Sequence, residues 1–184
     1  MSGFVTDGQQ IRDVLLLLKS SIARATDTYQ VSLKQYDDED LGDPLDHRGT
    51  RRGLQYDYVL IMEMQQAYNR MVSITVGDKS MLLSTAVKMI GILGEDKNLL
   101  RKALKADGSD NWYGRNERTS ETIVKKVMVP RPVAESLIET AEKEVTQMRR
   151  AIGRGNQEQR ELTAENTGLP QEDFDRAVKV LTEM

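Results

Sequence analysis

The sequence predicts a mainly α fold: long antiparallel helices, one short β element and a small C-terminal helical hairpin. Three observations carry this. Apolar residues recur at alternating spacings of four and three through several long segments. Apolar residues make up only 39% of the chain, which suits helices that each bury one stripe or complete their burial in an oligomer. A single stretch, "ETIVKKVMVPRP", has the β-branched density of a strand.

The elements follow in order. Thr6 or Asp7 caps a helix that runs to about Tyr36, within an N-terminal segment of residues 1–36. Ile11, Leu15, Leu18, Ile22, Ala25 and Tyr29 form its seam, roughly 45 Å long at 1.5 Å per residue. An acidic linker covers 37–50, where Gly42, Pro44 and Gly49 oppose helix continuation. A central helical hairpin spans 51–106. Its first helix covers about 51–75, with Leu54, Tyr58, Ile61, Tyr68 and Val72 on one stripe. The turn "VGDKS" ends it, and a second helix starts at Asp78 or Ser80 with Leu82, Ala86, Met89 and Leu93 in phase. Gly91 and Gly94 weaken that helix and predict a bend near Gly94, with a restart at Glu95. Residues 107–132 form a basic loop and a strand that Pro130 and Pro132 terminate. A C-terminal helical module fills 133–184. It opens with a helix over about 133–152 on the seam Ala134, Ile138, Ala141, Val145, Met148 and Ile152. "GRGNQ" breaks it, and helices over 157–166 and 170–183 meet at Thr167-Gly168.

Composition removes several chemistries. No cysteine is present, so disulfides, thiolate nucleophiles and Cys-based metal sites are excluded. His47 is the sole histidine, so one chain has no His-based zinc triad. The phosphate-loop, dinucleotide, zincin and nucleophile-elbow motifs are absent. The sequence therefore predicts no catalytic residues, no cofactor and no metal. The start "MSGFVTDGQQ" lacks a basic region followed by an apolar core, and the longest apolar run, "VLLLL", is too short for a bilayer. The expectation is a cytoplasmic protein without membrane contact, in the host cytoplasm or the virion if it is viral.

The net charge of −3 hides a pattern. Residues 1–50 carry five cations and nine carboxylates, and residues 132–184 carry seven and eleven. Residues 97–131 carry nine cations against four carboxylates. A basic block between acidic ends points to a polyanion or to charge pairing between chains.

Four candidates follow. "DDEDLGDPLDHRGTRR" (37–52) holds six carboxylates, His47 and three arginines. Read as a calcium loop from Asp38, its sixth position is Asp43 rather than glycine and its twelfth is Gly49 rather than glutamate. It reads as an exposed connection with self-repelling charges. The basic block offers Arg101, Lys102, Lys105, Arg115, Arg118, Lys125 and Lys126 to phosphates, with Trp112 and Tyr113 able to stack on bases. The competing expectation pairs these cations with acidic helices such as the one bearing Glu135, Glu139, Glu142 and Glu144. The C-terminus has the spacing of a helix-turn-helix at Ala164, Gly168, Leu169, Phe174 and Ala177. Glu172, Asp173 and Asp175 would repel phosphate there, so it reads as a structural or protein-contact module. Met62, Met64, Met71, Met81 and Met89 read as gap-filling core.

Residues 51–100 carry a resemblance. Arg51-Arg52 follow an acidic lead-in, then come "LQYDYVLIMEMQQAYNRMV", a short polar turn and a second helix near Met81. This resembles the central oligomerising hairpin of the small terminase subunits of T4-type tailed phages. The resemblance covers about a quarter of the chain and transfers no functional residue. It implies a ring-forming, non-catalytic subunit that engages viral DNA and regulates a separate packaging motor.

The functional expectation is a non-enzymatic, homo-oligomerising helical protein of a viral or nucleoprotein assembly, with DNA packaging as its sharpest form. The alternative is an α-helical adaptor that binds only proteins. Leu15, Leu18, Ile22, Tyr58, Ile61 and Met89 are the expected oligomer seam.

Overall fold

The computed structural model describes residues 3–34, 42–106 and 129–184, and within them the fold is mainly α. The elements are β1 (Phe4–Thr6), α1 (Gly8–Ser32), α2 (Pro44–Met71), β2 (Ser73–Val76), β3 (Lys79–Leu82), α3 (Leu83–Ala106), α4 (Arg131–Gly155), β4 (Arg160–Leu162), α5 (Ala164–Thr167) and α6 (Gln171–Glu183).

Asp7 caps α1, its carboxylate accepting the Gln10 N–H at 2.8 Å. Another early N–H group of α1 goes to a tertiary partner. Gln9 donates to the Asn156 carbonyl at 3.0 Å, and Gly8 abuts the Tyr68 ring. The helix start is thereby tied to the ends of α2 and α4.

The acidic linker is shorter than expected. Pro44 sits in the first turn of α2 and Asp43 caps it, accepting the Leu45 N–H at 2.8 Å. A proline opens a helix without loss because its missing N–H is one the helix leaves unpaired there. Gly49 lies inside α2, not in a connection. Residues 35–41, including most of the carboxylate run, lie outside the described residues.

The stretch expected to end the second helix and begin the third is instead a β-hairpin. Ser73–Val76 pairs antiparallel with Lys79–Leu82, Val76 opposite Lys79, around the two-residue turn Gly77-Asp78. Gly77 has φ +60°, the glycine-first pattern of a tight hairpin turn. Ile74, Thr75 and Val76 favour strand over helix. The third helix accordingly starts at Leu83, and it runs unbroken past Gly94 to Ala106. Its two glycines weaken it without breaking it, since no competing turn chemistry surrounds them. Near the C-terminus, residues 160–162 are a strand paired with Phe4–Thr6, not part of a helix over 157–166. The strand expected over 121–130 falls almost wholly outside the described residues.

The helix pairing also differs from the predicted central hairpin. α1 packs chiefly on α2, and α3 chiefly on α4. Both pairs are antiparallel. Arg51 of α2 donates to Thr26 Oγ1 of α1 at 3.0 Å, while Gly8 at the other end abuts the Tyr68 ring. Glu142 of α4 meets Arg101 of α3, while Gly155 at the far end of α4 faces Leu83.

One core joins the two pairs. Ile11, Leu18, Ile61, Met64, Tyr68, Val72, Leu83, Leu162 and Phe174 are completely buried in it. α6 closes the α1–α2 side with Phe174, Ala177 and Leu181. From the α3–α4 pair, the residues that reach this core are Leu83, Ala86 and Ala151 together with half-buried Ile152. Beyond Ala86, α3 continues for about 30 Å at 1.5 Å per residue, with α4 alongside it.

Candidate functional site

The six residues of the expected oligomer seam divide between the interior and the half-buried surface. Leu18 and Ile61 are 0% exposed, and Leu15, Ile22, Tyr58 and Met89 are half-buried. Leu18 and Ile61 therefore offer no surface to a second copy; α1 and α2 fill each other's seam within one chain. Of the methionines, Met64 is core, Met81 and Met89 are half-buried, and Met62 and Met71 reach the surface.

The basic block divides. Trp112, Tyr113, Arg115, Arg118, Lys125 and Lys126 lie outside the described residues, and Lys105 falls in the last turn of α3. Two of its other cations pair across to α4, and a third, Arg131, pairs within α4. Arg101 meets Glu142 Oε1 at 2.6 Å, Lys97 meets the same oxygen at 3.6 Å, and Arg131 meets Glu135 at 3.0 Å. Lys102 is exposed and has no ion pair among the described residues. On α4, Lys143 hydrogen-bonds Glu139 and holds its carboxyl below the ordinary range.

The C-terminal helices are built as a hairpin and docked onto the body. Thr163 and Asn166 form a reciprocal capping box, and Gly168 ends α5 with φ +75°. The acidic start of α6, expected to repel DNA, is partly used against α2. Tyr56 donates to Asp173 at 2.6 Å, which raises the phenol's pKa, and Arg176 meets Asp57 at 2.6 Å while lying 5.0 Å from the Tyr56 ring centre.

Among the described residues, no three His, Asp or Glu side chains are grouped to hold a metal ion. No described helix is long and apolar enough to cross a membrane.

What stands out is a groove between α3 and α4. It has a volume of about 460 Å³ and is walled by Leu93, Leu99 and Leu100 from α3 and Leu137 and Ala141 from α4. Leu99 is 64% exposed and Leu137 is 49% exposed. Ile92 and Val133 extend the same apolar strip. Helical spacing explains why one flank is open. Lys97 and Arg101, four apart, close one flank of the pair through Glu142. Ile92, Asp96 and Leu99, at spacings of four and three, lie on the other flank of α3. Glu144 of α4 stands on that flank with Asp96, and neither carboxylate has an ion pair among the described residues. Sequence reasoning placed Leu93 in phase on a helix seam but did not assign a site here. The readable signal was the doublets Leu99-Leu100 and Leu137-Ile138. Adjacent apolar residues sit 100° apart on a helix, so a doublet widens the stripe beyond what one partner helix covers.

No protein-family model, no curated protein and no solved structure matches this chain.

Proposed function

We propose that this chain is a non-enzymatic helical adaptor that acts through protein contacts, with the open flank of the α3–α4 arm as its working surface. The observation that carries this is the strip of exposed leucines on two helices that have no third layer over them among the described residues. A continuous exposed apolar strip is a costly feature on a soluble surface and marks a contact site. The engagement of Arg101 and Lys97 by Glu142, and of Arg131 by Glu135, supports a protein partner over a polyanion, since these cations are partly answered by carboxylates within the chain.

A second form keeps the nucleoprotein assembly, including a ring-forming, DNA-packaging role in a viral cytoplasm or virion. Lys102, exposed and without an ion pair among the described residues, lies in the most cationic part of the chain and favours it. Filter binding on duplex DNA, single-stranded DNA and RNA at about 50 mM salt separates the two, run beside native mass spectrometry. The adaptor form expects no retention of any nucleic acid. Retention that falls with salt, with a slope near −0.9 per neutralised phosphate on duplex DNA, and that flattens when Lys125 and Lys126 are neutralised, would replace it with the nucleoprotein form. A ring-sized particle would add the terminase-like version.

A further inference from the structure

We infer that the α3–α4 groove takes one amphipathic helix of a partner protein, with leucine-type anchors on one face and basic residues flanking them. This rests on the adaptor reading and names its partner's chemistry. Three features of the groove specify that occupant.

The first is shape. Leu93 to Leu100 spans about 10 Å, two helical turns, and Leu137 and Ala141 form the facing wall one turn apart. Such a slot between two helices accepts side chains at i, i+4 and i+7 of a third. A third helix laid there would stand to α3 and α4 as α6 stands to α1 and α2.

The second is the charge at its edge. Asp96 and Glu144 both line the groove, without ion pairs among the described residues. The one cation lining it, Lys97, directs its ammonium to Glu142, 3.6 Å away. The approaching partner therefore meets carboxylates, and basic flanks answer them.

The third disfavours a second copy as the occupant. Two grooves packed face to face would bring Asp96 and Glu144 of both chains onto one apolar patch, where the one lining cation, Lys97, is directed to Glu142. Like charges set against each other across a contact cost several-fold in affinity or more. The same carboxylates that invite a basic helix repel this chain's own arm.

The test uses the full-length protein and two designed peptides labelled with a fluorophore. Both carry leucines at i, i+4 and i+7 of a helix; one has lysine flanks, the other glutamate flanks. Fluorescence anisotropy at low salt should show micromolar binding of the lysine peptide and at least roughly tenfold weaker binding of the glutamate peptide. Leu99→Asp should abolish binding; this side chain is already exposed, so the variant should keep wild-type circular dichroism. The double variant Asp96→Lys, Glu144→Lys should invert the preference, binding the glutamate peptide better. That inversion is a result no general loss of structure can produce. Equal binding of the two peptides would overturn the charge assignment while leaving the groove a protein-docking surface. Binding of neither peptide at about 100 µM would overturn the proposal, as that is weaker than a helix-in-groove contact of this kind requires. If the wild type sediments as a dimer that Leu99→Asp converts to monomer, the occupant is a second copy and the proposal fails. If the wild type also retains nucleic acid on filters, the adaptor reading fails with it.

Discussion

The two helix pairs of this protein are close in length and both antiparallel, yet they are finished differently. α1 and α2, of 25 and 28 residues, bury Ile11, Val14, Leu18, Leu60, Ile61 and Met64, and α6 lies over them. α3 and α4, of 24 and 25 residues, hold a narrow seam of Ala134, Ala141, Val145 and Met148 and leave Ile92, Leu99 and Leu137 in water; α1 and α2 also expose Leu16, Leu17 and Val59, but none of these lines the apolar groove. Two helices touch along one line and cannot cover both flanks of an apolar stripe. A third element is needed, and most helix stability in proteins comes from that packing, not from propensity. The first pair has its third element inside the chain. Among the described residues the second pair leaves that place open, and this is why the contact surface is sought there.

The sharpest way to break the comparison is to remove the third element where it exists. Phe174→Ala should destabilise the protein by about 3–5 kcal/mol, because a completely buried ring is lost and α6 loosens from α1–α2. Leu137→Ala on the arm should stay within about 0.5 kcal/mol, since that side chain is half in water. Urea unfolding of both variants measures the difference. Equal costs would mean that the arm is as well covered as the body.

Tyr68→Phe probes the joint at which the pairs meet. The hydroxyl lies 2.7 Å from the Gly155 carbonyl and 2.6 Å from the Glu158 carbonyl, to one of which it donates. Its loss leaves buried groups unpaired and should cost about 1–3 kcal/mol. The same residue sets a pH dependence. Burial raises the phenol above its ordinary value of 10.0, outweighing the Gly8 N–H that lowers it. The folded state therefore holds the proton more tightly than the unfolded state. Stability from this group is complete below the unfolded value near 10 and is lost as pH rises toward the folded value. Alkaline denaturation monitored by circular dichroism should begin near that pH in the wild type, and Tyr68→Phe should remove that part of the slope.

Gly155→Ala tests how closely the arm's base approaches the body. An added Cβ would sit 2.6 Å from Ile74 Cγ2 and 3.0 Å from Leu83 Cδ1. Both neighbours are buried, so the site cannot yield freely and a loss of about 1–3 kcal/mol is expected. A thermal melt at unchanged midpoint would show that β2 and α3 can shift together.

The smallest effect belongs to the closed flank of the arm. Glu142→Gln removes the partner of both Lys97 and Arg101, yet these are exposed or half-exposed pairs, and about 0–1 kcal/mol is expected, vanishing at high salt. A larger, salt-independent loss would mean that the ion pairs, not the narrow alanine seam, hold α3 to α4.

Much of this architecture was legible in the chain's periodicity. The 4-3 seams placed α1, most of α2, α3 and α4, and Asp7, Thr163 and Gly168 carry cap chemistry that local sequence alone dictates. The β-hairpin was also legible in principle, as "SITV" and "KSML" around Gly77-Asp78, but a helix seam running up to Val72 masked it. Pro44 was misread because a proline ends a helix from within and opens one from its first turn, and only the position of the cap tells which. The α3–α4 groove was half visible: the doublets announce a wide stripe, but not which of the two leucines stays in water.

Periodicity by itself determined which face of each helix is apolar, because that depends on residues three and four apart. It could not determine which helix answers that face, since a seam fits any complementary seam. Only the tertiary structure decided that α1 takes α2, that α3 takes α4, and that Phe4–Thr6 crosses the chain to pair with Arg160–Leu162. Those choices depend on loop closure and on a shared core, where Tyr68, Gly8 and Gly155 must fit within ångströms of one another. They fixed Leu18 as interior and left Leu99 exposed, although both sit on leucine-rich stretches of a long amphipathic helix.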